Sequence, residues 1–133
     1  MITDLVFLNG HSVDAILEDF DHSLGIWLSA KNMDSIALAQ LGELLQVATY
    51  DELFDAFELV SEPAEQVLFA FPGVLRSKLI TLSESDMEAV CSKWKDIEEF
   101  GGGMSLDHCM AYLKSLRAFL ASSEEDVYLL MGI

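Results

Sequence analysis

The sequence predicts a mainly α single domain: a bundle of five or six helices closing on an antiparallel C-terminal helical hairpin, with at most a small accessory β-sheet, α+β being the alternative. Three observations carry this expectation. Apolar residues recur at spacings of three and four through several stretches, the period of one helix face. Ser, Thr or Asp heads these stretches, where a side-chain oxygen can satisfy a free backbone N–H. Strand-like runs are short and scattered, at 5–8, 67–71 and 127–131.

Taken in order, residues 4–9 read as a short strand or an extended arm, closed by the turn signal Asn9-Gly10. Ser12 caps a helix through Leu24, with Val13, Ile16, Leu17 and Phe20 inward and Asp14, Glu18, Asp19 and Asp21 outward. Gly25 interrupts, and 25–32 fits helix or strand equally. Residues 33–48 form a helix, started by Asp34 or Ser35 and apolar over a wide face, which places it centrally. Thr49 with Glu52 makes a capping box for a helix over 49–60, where Leu53, Phe54 and Phe57 lie on one side. Asp51, Glu52, Asp55 and Glu58 form its acidic face. Ser61-Glu62-Pro63 breaks it. Residues 66–72 are rich in strand formers and stop at Pro72, whose predecessor is biased toward extended backbone. A short helix over 74–82 leads to a cap at Ser83 and the hairpin at 83–124. There Met87, Val90, Cys91, Trp94 and Ile97 form one stripe, and Leu106, Cys109, Met110, Leu113, Leu116 and Leu120 the other. Ser85 with Glu88 fits a capping box, Ser105 suits the second N-cap, and Gly101, Gly102 and Gly103 end the first helix. So short a link makes the two helices antiparallel neighbours. Residues 127–133 are a final strand or packed coil.

At 133 residues the chain is one domain, 1–133, long enough to bury a substantial core. No apolar run reaches the roughly 18 residues of a membrane span, and the N-terminal stretch lacks the basic region of a signal peptide. Two cysteines are expected as free thiols in a reducing cytoplasm. Charge is the outlier, at −16. Residues 1–75 hold 13 acidic groups against the single basic Lys31, a net −12; residues 76–133 hold ten against six, a net −4. Nucleic acid is thereby excluded as a direct partner, and so is an anionic membrane surface, because both need clustered Lys and Arg. A basic protein partner is admitted, and long-range attraction would speed its approach. Solubility alone explains the same charge equally well.

Catalytic motifs are missing from the pattern. Cys91 and Cys109 sit on facing stripes and would meet as a redox couple or, with His108, at a metal; without a CxxC or HxxxH pair they read as small core residues. His11, His22 and His108 are scattered, and no nucleophile elbow accompanies them. Asp14, Glu18 and Asp21 line one helical face, as do Asp51, Asp55 and Glu58, but no ExxH motif or EF-hand loop accompanies either set, so both read as solvated. The triple glycine lacks the GK[ST] of a phosphate loop. Phe69 and Phe71 alternate around Ala70, so a strand there puts both on one face. Exposed beside the acidic helix, that face would be an aromatic anchor with a charged rim.

Residues 72–100, PGVLRSKLITLSESDMEAVCSKWKDIEEF, with the closing VYLLMGI, resemble small uncharacterised bacterial cytoplasmic helical proteins. The shared features are a proline-led short helix, a capped helix with a mid-face Trp ending in Glu-Glu, a second helix and a C-terminal VYL segment. The overall type, one acidic domain without an enzyme motif, is similar to immunity proteins that neutralise basic secreted toxins. The resemblance brings no catalytic residue. The expectation is a cytoplasmic, non-enzymatic protein-binding module without cofactor or metal, taking a basic partner through Asp51, Glu52, Asp55, Glu58, Phe69 and Phe71. Alternatives are an oligomeric subunit or adaptor with an apolar surface and, third, a small metal-dependent enzyme.

Overall fold

The computed structural model describes residues 3–18, 23–29, 33–61, 66–102 and 104–132. Five strands run through it: β1 (Thr3–Phe7), β2 (Ile26–Ser29), β3 (Leu59–Ser61), β4 (Gln66–Ala70) and β5 (Val127–Gly132). They form one antiparallel sheet in the order β2-β1-β5-β4-β3, so the two chain ends supply adjacent strands, with Leu5 opposite Leu129. Six α-helices accompany the sheet among the described residues: α1 (Val13–Leu17), α2 (Ser35–Leu44), α3 (Tyr50–Ala56), α4 (Gly73–Ile80), α5 (Glu84–Trp94) and α6 (Leu106–Ala121).

This corrects the expectation of a mainly α bundle. With six helices packed on a five-stranded antiparallel sheet among the described residues, the fold is α+β. The sheet is structural, not accessory, because its central strands are buried on both faces. Leu5, Phe7, Val127 and Leu129 point into the main core under α2 to α6, whereas Val6, Leu68 and Leu130 point the other way onto Ile16 and Leu17 of α1. All five residues of β1 are buried. A strand covered on both sides carries continuous apolar residues and no alternation, which is why 4–9 and 127–133 could not be assigned from pattern.

The helices follow their caps. Asp34 accepts from the Ala37 N–H at 2.8 Å and Ser105 from the His108 N–H at 3.1 Å. At α5 the cap is Ser83, which accepts from the Asp86 N–H, and not Ser85. α5 also stops earlier than expected, at Trp94. Its last turn tightens into three-residue hydrogen bonds, Asp96 N–H to the Lys93 carbonyl and Ile97 N–H to the Trp94 carbonyl. A 3-10 turn over Glu98–Phe100 follows, and it is this turn that Gly101 closes, at φ 73. α1 and α3 are likewise shorter than their polar patterns suggest, so Glu58 lies beyond its helix. The expectations at Asp19, Phe20, Asp21, His22, Lys31, Glu62, Pro63 and Gly103 fall outside the described residues.

The α5–α6 hairpin forms, and the indole of Trp94 ties it to the central helix by donating to the Ala37 carbonyl at 2.9 Å. Arg76 on α4 joins three elements: its guanidinium donates to the carbonyls of Leu120, Ser123 and Glu125 and lies 5.5 Å above the Phe7 ring.

Candidate functional site

The acidic stretch 50–60 begins at Thr49, whose hydroxyl accepts from the Glu52 N–H at 3.2 Å while the Glu52 carboxylate accepts from the Thr49 N–H at 3.4 Å. Glu52 therefore serves the helix end as well as the surface. Tyr50 N–H donates to Glu43 Oε2 at 2.7 Å, fastening α3 to α2. Leu53 and Phe57, four apart, fill the core at 1% and 6% exposure. That stripe turns Asp51, Phe54 and Asp55 outward, and Phe54 stacks on Tyr50 with ring centroids 6.0 Å apart.

Past the helix the chain straightens into β3, at the end of the sheet. Leu59 pairs with Phe69 and Ser61 with Leu68, so Val60 is the extra residue of a bulge. Glu58 anchors this start by accepting the Ala70 N–H on its carbonyl at 2.8 Å. No strand covers the outer side of β3 among the described residues. The result is an apolar set, Phe54 at 43%, Leu59 at 53% and Val60 at 42% exposure, interleaved with the exposed carboxylates Asp51, Glu52, Asp55 and Glu58.

The two phenylalanines expected beside this acidic surface lie elsewhere. Phe69 and Phe71 do share a face, but it is the face under the helices. Phe71 is 7% exposed and meets Phe57 edge-on at 5.7 Å, and Phe69 is half-buried against the main core. Neither is an exposed anchor. The residues that occupy that place, Phe54, Leu59 and Val60, were hidden in the sequence because a seven-residue helix has room for one inward stripe, and spacing alone let Phe54 belong to it.

A cleft of about 560 Å³ opens where α2, α3 and α5 meet, lined among others by Glu43, Leu44, Tyr50, Lys93, Ile97 and Glu98. Its two carboxylates outnumber its one ammonium group, so it extends the negative potential of the α3 surface.

Cys91 and Cys109 are free, fully buried and adjacent. The neighbouring Cys109 thiol holds the Cys91 thiol below the ordinary range, while the same proximity and burial push the Cys109 thiol up. His108 is exposed and packs edge-on against Tyr112 at 4.8 Å. Among the described residues no three of His, Cys, Asp and Glu gather as metal ligands, and no helix is long and apolar enough to cross a membrane.

Compared with protein-family models, with curated proteins and with solved structures, the chain matches none of them.

Proposed function

We propose that this protein is a non-enzymatic binding module of the cytoplasm that takes a basic partner protein on the surface formed by 51–60, in the manner of an immunity protein holding a basic toxin. One observation carries the reading: three exposed apolar side chains, Phe54, Leu59 and Val60, stand among four exposed carboxylates in ten residues of chain. Apolar area desolvated at the centre of a contact supplies affinity, and charges at its rim steer the encounter and select the partner's sign. The field behind them is strong, since residues 1–75 carry a net −12.

The test reverses Asp51, Asp55 and Glu58 to Lys, and separately Glu88, Asp107 and Glu124, which are also exposed and change the net charge equally. Affinity capture from the source cells at low and high salt is followed by titration calorimetry of the purified captured protein. The first set should weaken binding by well over tenfold, about 1.4 kcal/mol or more, and the second much less. Equal loss from both sets, or none from either, would overturn the reading.

A second reading uses the same apolar residues for self-association along the open edge of β3. The bulge at Val60 and a charge of −16 both oppose it. Sedimentation velocity separates the two, because a concentration-dependent dimer abolished by Leu59→Lys belongs only to the second.

A further inference from the structure

Cys91 and Cys109 are the two cysteines of the chain, and the fold brings them level across the α5–α6 hairpin. Two contacts fix the register between these helices. Arg117 Nη1 donates to the Leu82 carbonyl at 2.8 Å, and Lys114 Nζ lies 3.5 Å from Glu84 Oε1. Counting from the Glu84–Lys114 pair toward the turn at about 1.5 Å per residue, Cys91 lies about 10.5 Å along α5 and Cys109 about 7.5 Å along α6. The two are thus level to within about 3 Å. Both belong to the inward stripes, with Met87, Val90 and Trp94 on one side and Leu113, Leu116 and Leu120 on the other.

We propose that Cys91 and Cys109 are a reversible disulfide site, oxidised by small-molecule disulfides of the glutathione type, that staples the hairpin shut. The reaction balances as two exchanges. The Cys91 thiolate attacks one sulfur of the small disulfide, breaking its S–S bond and releasing one thiolate. Cys109, deprotonated, then attacks the Cys91 sulfur of the mixed disulfide and expels the second thiolate. Two protein thiols are oxidised, one small disulfide is reduced to two thiols, and the two cysteine protons pass to the leaving thiolates. Of the two, Cys91 is the thiol held below its ordinary range, so it is taken as the attacking sulfur and Cys109 as the resolving one. Both thiols are shut off from solvent, so reaction waits on local opening of the hairpin, and closure then cross-links a loop of 17 intervening residues. The site is independent of the partner-binding reading.

The test incubates the full chain with oxidised glutathione, in buffer and in urea just below the unfolding transition, and follows intact mass and thermal melting. The expected product has lost two hydrogens, retains no glutathione, forms faster in urea, and melts roughly 5–10 °C higher until dithiothreitol reverses it. Cys109→Ser should instead retain one glutathione on Cys91. A wild-type product that keeps glutathione, a covalent dimer, or two thiols still free after the urea arm would overturn the proposal.

Discussion

Trp94 shows how one side chain joins elements distant in sequence. Its ring is fully buried, meets Phe100 edge-on at 4.9 Å, and donates from its indole N–H to the Ala37 carbonyl of α2. Truncation removes both the packing and the hydrogen bond, so Trp94→Ala should cost about 3–5 kcal/mol in a denaturant melt. Lys95→Ala, next in sequence but holding only a surface pair with Asp96, should stay within about 0.5 kcal/mol. Trp94→Phe is the sharper probe: it keeps an aromatic ring and leaves the Ala37 carbonyl unpaired, and should fall between the two. Gly42 is constrained by its neighbours in the same way. A Cβ there would run into Leu53 Cδ1 and come within 3.2 Å of Leu75 Cδ1. Gly42→Ala should therefore destabilise by about 1–3 kcal/mol, although alanine is the better helix former.

Between elements, Arg76 is the main polar tie. It reaches from α4 to three carbonyls at and beyond the end of α6, where the last turn leaves acceptors unpaired and the helix dipole favours a cation. This fixes the approach to β5, the central strand. Arg76→Met keeps the stem over Phe7 and removes the donors, and should cost about 2–4 kcal/mol in thermal or urea melts. Arg76→Lys should recover only part, because one ammonium cannot reproduce the guanidinium fork. A neutral result for both would mean that water serves these carbonyls as well as Arg76 does.

Across the whole molecule, charge governs the behaviour of everything outside the core. A net −16 on one small domain repels itself, and surface ion pairs such as Lys95–Asp96 and Lys114–Glu84 do little to offset it. Raising ionic strength from about 0.01 to about 0.15 M contracts the screening length from about 30 to about 8 Å, so the thermal midpoint should rise over that range. The Asp51, Asp55 and Glu58 reversal to Lys, which changes the net charge by six, should flatten that rise. A salt-independent midpoint in the native chain would show that the acidic groups are already too far apart to interact.

Local chemistry was legible in the residues themselves. The caps at Ser12, Asp34, Thr49 and Ser105, the inward stripes of α5 and α6, and the outward carboxylates of α3 depend on neighbours within a turn, so spacing sufficed to find them. Strand status at 25–32, 66–72 and both chain ends did not, because a β-strand takes its hydrogen bonds from residues far away in sequence, such as Leu5 with Leu129 and Leu68 with Leu130. At both chain ends, burial on both faces then erased the alternation that would have marked the strands. The same non-local closure decided the site. It spent Phe69 and Phe71 on the core, left Phe54, Leu59 and Val60 at the sheet's outer edge, and set the two thiols against each other. Composition determined that the surface is acidic; only the packing of sheet against helices decided which apolar residues stand among those acids.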